Sequence, residues 1–338
     1  SAIVQPGSTL KTFMVVWKRK AHARAEAIEA ICGRTSQLGR TLPELQDDET
    51  VLPAFSWDGE LDPAAGELDE RRAARKRQQI SSAAMHALSM ARTGARIVEL
   101  GAGQGHLGLL VAHLRPDCTV ILVEVKEYSC AAARDRVRRL GLANVTVFEG
   151  AVDAFAASGE PFDLAVGLHL CGLLTDAALE MAAARNASAC IVPCCYGQIY
   201  GAVDHERGGS AAPREAPFSS SYRAALGEEL LPLYAEVAKG ADHVVAGKGG
   251  AFDTASAGFA TAQRCMRAID TDRLLWLLER AGGAGRGGAG AEGGAEGGSE
   301  PDVDPQGGGQ RASFAVALRT LEPPGCSPKN SVILVRSL

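Results

Sequence analysis

Ile97-Val-Glu-Leu-Gly-Ala-Gly-Gln-Gly-His106 decides how the rest of the chain is read. Ile97, Val98 and Leu100 form a short apolar run that predicts a buried strand, and Gly101, Gly103 and Gly105 then break it into a turn. Leu107 to Leu114 resumes as a helix. Three glycines two residues apart let a backbone pass close to a ligand, because no Cβ stands in the way. Glu99 lies near the carboxyl end of the strand, the end at which open α/β sheets bind their ligands.

Downstream, Thr119-Val-Ile-Leu-Val123 predicts a second strand ending at Glu124. An acid there can accept hydrogen bonds from both hydroxyls of a ribose. Dinucleotide enzymes place an acid similarly, roughly 20 residues beyond their glycines, so this pair alone does not separate two nucleotide ligands. Tyr128 to Leu140 reads as a helix closed by Gly141. Val145-Thr-Val-Phe148 is a third strand, after which Gly150, Ala151, Val152 and Asp153 are expected in a loop that could pass an adenine ring. Pro161 to Val166 is a fourth strand with Gly167 to Asp176 as its exit, and a helix covers Asp176 to Arg185. Ala189-Cys-Ile-Val192 is a fifth strand, followed at once by Pro193-Cys-Cys-Tyr-Gly197. This alternation predicts an α/β, doubly wound parallel sheet.

Tyr200 to Pro217 reads as a loop, and Phe218 to Ala238 as helix broken at Pro232. Thr261 to Ala281 is helical in pattern, and the glycine-rich 282–310 is expected to be a disordered insertion. Ser313 to Leu318 and Val332 to Val335 suggest a closing antiparallel pair. Ahead of the sheet, Glu67 to Met90 is helical and carries Arg71, Arg72, Arg75, Lys76 and Arg77. That cluster is either a solvated helix face or a patch that contacts phosphates beside an active-site mouth. Phe13 to Ile31 predicts a helix, so 1–40 reads as a helical segment that could be the tail of an upstream domain. Thr41 to Gly66, rich in Pro, Asp and Glu, reads as a linker with little structure of its own, leaving 67–338 as the main domain.

A formal charge of -5 over 338 residues gives no global nucleic-acid signature, so any basic surface is local. No apolar run approaches the roughly 20 residues of a membrane span. The start at Ser1 reads as a fragment or a processed chain, which leaves targeting unjudged. Nine cysteines, an odd number, lie scattered among apolar residues and predict free thiols in a reducing, intracellular compartment, the cytoplasm.

Glu99-Leu-Gly-Ala-Gly-Gln-Gly105, the acid at Glu124 and the terminal antiparallel pair together resemble the seven-stranded, Rossmann-like S-adenosylmethionine-dependent methyltransferases of class I. His169-Leu-Cys-Gly172 with Thr175-Asp176, and Pro193-Cys-Cys-Tyr-Gly197, are similar to motifs of a subfamily that includes a tRNA ribose 2′-O-methyltransferase. Arg71-Ala-Ala-Arg-Lys76 and Cys326-Ser-Pro-Lys-Asn330 resemble the methyltransferase region of glutathione S-transferase C-terminal-domain-containing proteins. The likeness covers residues 67–338 apart from the insertion. Residues 1–66 carry none, and no glutathione chemistry follows.

The resemblance implies S-adenosylmethionine as cofactor and RNA, with tRNA favoured, as substrate. It implies that Glu99 orients the amino acid moiety, that Gly101, Gly103 and Gly105 approach the cofactor, that Glu124 holds the ribose and that Ala151, Val152 and Asp153 flank the adenine. His169 would stand beside the methyl group as a proton relay, or else be a structural histidine bonded to the loop. Cys194 and Cys195 are a packed strand exit or, as in some RNA cytosine-5 methyltransferases, a source of a nucleophilic thiol. Metal ligation is not expected, because adjacent cysteines lack zinc-knuckle spacing. Tyr196 would stack on a base or cap the core. Lys329 and Asn330 are read chiefly as pins for the terminal hairpin. Two rival readings remain, a degenerate cofactor-binding interaction module and a nucleotide-dependent oxidoreductase.

Overall fold

The computed structural model describes residues 6–46, 51–66, 68–200, 215–243, 253–283 and 313–338. Its strands are β1 Arg96–Leu100, β2 Thr119–Glu124, β3 Val145–Glu149, β4 Leu164–Cys171, β5 Ser188–Cys194, β6 Phe314–Thr320 and β7 Ser331–Ser337. They make one seven-stranded sheet in the order β3-β2-β1-β4-β5-β7-β6. β1 to β5 are parallel, and β7 enters antiparallel between β5 and β6. The order reverses between β1 and β4, which is where such sheets open a ligand crevice at the carboxyl ends of their strands.

The central strands β1, β4 and β5 bury both faces, which is why their sequences are largely continuous apolar runs rather than alternations. Ile97, Val120, Leu122 and Val166 face one core with α2 (Glu70–Met90) and α3 (His106–Leu114). Val98, Leu100, Val123 and Ala165 face the other with α5 (Val152–Ala157), α6 (Leu173–Ala184) and α9 (Ala257–Gly283). Ile97, Val98 and Leu100 are fully buried, each worth about 1.5–3 kcal/mol against exposure. α4 (Glu127–Leu140) ends on Gly141, whose φ of 64° gives the left-handed cap that the sequence predicts.

A third core lies past the carboxyl ends of β4 and β5, where Leu173 and Tyr196 join it and α1 (Pro6–Gly39) brings Ile28, Ile31 and Cys32 against α7 (Ser220–Leu230), α8 (Tyr234–Asp242) and α9. Thr35 Oγ1 and Tyr222 OH, 2.5 Å apart, tie this helix inward. α1 therefore packs on the same body as the sheet. The stretch after it has little regular structure but is not detached. Leu45 N donates to Val316 O and Val316 N to Pro43 O, extending the β6 edge, and Asp62 pairs with Arg77 on α2.

The loop expected over Ala151–Asp153 is shorter than the sequence suggests. Ala151 is the extended residue before α5, Val152 is buried and Asp153 lies in the first helical turn, where an acid suits the helix dipole. Most of the expected insertion at 282–310, and residues 201–214 of the expected loop, lie outside the described residues. Among the described residues no helix is long and apolar enough to cross a membrane.

Candidate active site at the strand tips

Glu99 is in register with Leu122, and Glu124, two residues further along its strand, points to the same face of the sheet as the period of two requires. Glu99 is buried, and its Oε2 accepts a hydrogen bond from Gly108 N at 2.8 Å. Burial pushes its carboxyl up to about 8, against the pull of that N–H and of the Lys76 ammonium. No sequence motif singles out Gly108, yet a Cβ there would stand 2.7 Å from Glu99 Oε2 and overlap Leu122. A glycine in the first turn of an apolar helix facing an acidic strand end is the signal that could have found it.

Gly101, Gly103 and Gly105 all have left-handed φ, from 56° to 80°. Only at Gly103 would a Cβ meet nothing within 4 Å; at Gly101 and Gly105 it would meet leucine side chains. The open space above the turn is therefore over Gly103. Glu124 Oε2 accepts from Gly103 N at 2.8 Å, while its Oε1 accepts from Val125 N and Lys126 N at 3.0 Å. A carboxylate offers about four acceptor positions, so three are already filled. As placed, Glu124 has room for one ribose hydroxyl rather than the two expected from sequence.

α2 reaches into the same cleft. Lys76 is half-buried, burial lowers its pKa, and its charge acts on Glu99, His106 and His169. The basic cluster is thus not one surface. Lys76 faces inward because the first half of α2 reaches the strand tips before its second half packs on the face of the sheet, and Arg77 is spent on Asp62 and Glu70 at 2.7 Å each. Arg72 pairs with Asp69 at 3.3 Å on the exposed side, Arg71 is exposed and Arg75 is half-buried.

His169 occupies an irregularity in β4. The register passes from Leu168–Val192 to Leu170–Pro193, so His169 is an extra residue, with φ at 66°. A left-handed non-glycine residue costs on the order of 1–2 kcal/mol, and such bulges re-aim a side chain. Here the ring turns to Gln79 of α2, with Nε2 2.9 Å from Gln79 Oε1. Burial and the Lys76 charge lower its pKa to about 4, so the imidazole is neutral at pH 7.

The thiols of Cys171, Cys194 and Cys195 converge. Cys171 Sγ is 2.8 Å from Cys194 Sγ and 3.3 Å from Cys195 Sγ, and none of the nine cysteines is in a disulfide. The Cys171 thiol and burial push the Cys194 thiol upward, and burial with the same neighbour raises Cys195. Both shifts are opposite to what a nucleophilic thiolate needs. The adjacent cysteines, whose spacing is not that of a zinc knuckle, nonetheless bring their thiols to one point, because Cys195 has φ at 50° and leaves the strand geometry that would splay the pair.

Of the two readings of Tyr196, base stacking or a core cap, the structure has the second. The side chain is fully buried, with its hydroxyl 2.9 Å from Asp270 Oδ2, so it caps the core and presents no face to a base. Lys329 reaches Ala241 O at 2.5 Å and Asp242 Oδ1 at 2.6 Å, and buried Asn330 donates to Pro324 O, so both pin the terminal hairpin. Sequence reasoning misses Arg273, which bonds both oxygens of Asp176 at 3.0 Å, Asp270 at 3.1 Å and Gly172 O at 3.0 Å, and so fixes the exit of β4. A separate hollow, lined by Arg92, Gly94, Asp163 and Asn186, lies at the opposite end of the sheet and shares no residue with this site.

The chain is 28% identical over 292 residues to the glutathione S-transferase C-terminal domain-containing protein of Xenopus laevis, covering 86% of this chain and 38% of that protein. That span is long enough to reach into the first 66 residues, where no motif carries a likeness of its own. To the protein of the same name in Homo sapiens it is 37% identical over 152 residues, 45% of this chain and 23% of that one. The chain thus spans well under half the length of these curated relatives. The solved structure of TrmN from Thermus thermophilus is similar at a TM-score of 0.31 and 18% identity, over 39% of this chain and 40% of that chain. Residues 74–202 match the family model described as a methyltransferase domain, a span that holds Lys76, Gln79, Glu99, Glu124, His169 and the three converging thiols.

Proposed function

We propose that this chain is an S-adenosylmethionine-dependent methyltransferase acting on RNA, with tRNA as the favoured class. The observation that carries the cofactor is the pair of acids, Glu99 and Glu124, on one face of adjacent strand tips, around a glycine turn whose free space lies over Gly103. The methyltransferase-domain match over 74–202 supports the same reading. When bound, the cofactor supplies an electrophilic methyl group. Glu124 would hold a ribose hydroxyl and Glu99, beside Lys76, would orient the charged amino acid end. His169, neutral and half-buried near the tip of β4, would take a proton from the acceptor through Nδ1.

The RNA assignment is supported by the likeness of His169-Leu-Cys-Gly172 and Pro193-Cys-Cys-Tyr-Gly197 to the tRNA-modifying subfamily. It is also supported by α2, which delivers Lys76 and Gln79 to the site and carries Arg71, Arg72 and Arg75 on the turns just before. Those three cations are suited to phosphates at the mouth.

Calorimetric titration with S-adenosylmethionine and S-adenosylhomocysteine, then tritium transfer to total RNA, tests the proposal. Binding with transfer to RNA is expected. Binding without transfer to RNA or protein would favour an interaction module, and NADH binding without S-adenosylhomocysteine binding would favour an oxidoreductase. Replacing Arg71, Arg72 and Arg75 with Ala should flatten the salt dependence of RNA binding, by about 0.7 in slope for each single-strand phosphate left unneutralised. An unchanged slope returns these residues to solvent.

A further inference from the structure

We propose that Cys171, Cys194 and Cys195 form a three-thiolate site for a soft divalent cation of the zinc type, with a fourth coordination position left open. Their sulfurs all lie within 4.8 Å of one another. Cys171 and Cys194 are paired residues at the last register positions of β4 and β5, so two ligands come from neighbouring strand ends that the sheet itself holds together. The third arrives by an irregular route. Successive side chains of a strand point to opposite faces, and an extended Cys195 would carry its thiol away from Cys194. Its φ of 50° turns it back to within 3.3 Å of Cys171. His169, two residues before Cys171, is likewise left-handed at 66° and lends its carbonyl to the Cys194 thiol at 3.2 Å. Two strained residues thus converge three sulfurs on one point, and strain of this kind gathers where a ligand or a reaction requires it.

The donor set selects the ion. Sulfur ligands favour zinc-like or still softer ions and exclude magnesium and calcium, which take oxygen. With zinc–sulfur bonds of about 2.3 Å, tetrahedral coordination sets sulfurs roughly 3.7 Å apart. The thiols, at 2.8 and 3.3 Å, need only small side-chain rotations to reach that spacing. Binding balances as three thiols and one divalent cation giving a tris-thiolate complex of charge −1 and three released protons. Asp242 is not the fourth ligand as placed, because Tyr196 N, Gly197 N and the Lys329 ammonium already occupy its carboxylate. Cys194 is buried while Cys171 and Cys195 are half-buried, so the remaining position faces the solvent side of the strand tips. Three protein ligands with one open position is the pattern of reactive rather than structural zinc sites.

The test uses the full chain, reduced and freed of metal, titrated with cobalt(II) and then with zinc against a chromophoric chelator. One equivalent of cobalt should give a sulfur-to-cobalt charge-transfer band that zinc abolishes. Cys195→Ala, a change at a half-buried position outside the strands, should weaken zinc by more than about 100-fold, beyond the 10–100-fold typical of losing a group that only supports a ligand. Cys171→Ala and Cys194→Ala should do the same, and Cys118→Ala should not. If the Cys171 and Cys194 variants fail to fold, Cys195→Ala decides, joined by mass spectrometry of alkylation, in which zinc should protect Cys171 and Cys195. Absence of the band, unchanged zinc affinity in Cys195→Ala, or a Cys171–Cys194 disulfide whose reduction restores no zinc uptake would each overturn the site.

Discussion

Gln79 presents its Oε1 to His169 Nε2 at 2.9 Å, because its Nε2 is committed to the carbonyl of Cys326 at 2.6 Å. A backbone carbonyl only accepts, so the amide has one orientation. His169 must then carry its proton on Nε2 and keep its lone pair on Nδ1. α2 and the segment before β7 thereby set the tautomer of a residue on β4.

The first prediction concerns this relay. His169→Ala should lower methyl transfer by on the order of 10²-fold or more, the range for a lost acid–base group, while S-adenosylhomocysteine affinity changes little. Gln79→Leu should lower turnover by about tenfold, as expected when a supporting bond is removed. Single-turnover rates alongside calorimetric affinities make the comparison. An equal loss of cofactor affinity would make His169 a binding residue.

A second prediction follows from Glu99. Its folded-state pKa is raised to about 8 by burial, from an ordinary value of 4.5. Its contribution to stability is therefore fully present below about pH 4.5 and is lost as pH rises through about 8. Glu99→Gln keeps the bond from Gly108 N and cannot ionise. Thermal melts from pH 5 to 9 should show Tm falling more steeply in the wild type than in this variant. Parallel curves would mean that Glu99 does not carry the effect.

Gly108 and Gly103 make a paired test. Gly108→Ala drives a methyl into Leu122 and to 2.7 Å from Glu99 Oε2, so it should cost about 1–3 kcal/mol as overpacking and displace the carboxylate. Gly103→Ala meets nothing within 4 Å but keeps φ at 56°. It should cost about 1–2 kcal/mol through backbone strain and obstruct the cleft. Urea melts and cofactor titration should show both variants weakened in binding, the first through Glu99 and the second by direct occlusion. Normal affinity in Gly103→Ala would move the cofactor away from the turn.

The buried pair Arg273–Asp176 supplies the fourth. Both side chains are essentially inaccessible, and removing Asp176 leaves the buried guanidinium with Asp270 and the Gly172 carbonyl only. Asp176→Ala should cost about 3–5 kcal/mol. Arg273→Met combined with Asp176→Leu should cost less than the sum of the single changes. Strictly additive losses in denaturant melts would argue against direct coupling.

The sequence by itself determined the parallel sheet, the glycine turn, the acids at Glu99 and Glu124 and the closing hairpin. Each depends on local spacing, apolar runs of strand length and glycines where φ must be positive, and the structure keeps them within a few residues. Tertiary structure alone decided which side chains meet. Lys76 and Arg77 are neighbours in one basic run, yet the first half of α2 reaches the strand tips, so one faces Glu99 and the other pairs with Asp62. Tyr196 directly follows the half-buried Cys195, yet α9, which carries Asp270, helps to cover it completely. Cys171, Cys194 and Cys195 converge because β4 carries an extra residue at His169 and the chain turns left-handed at Cys195. Neither event leaves a mark in composition or periodicity, because a bulge and a left-handed non-glycine residue are stabilised by contacts distant in sequence rather than by local preference.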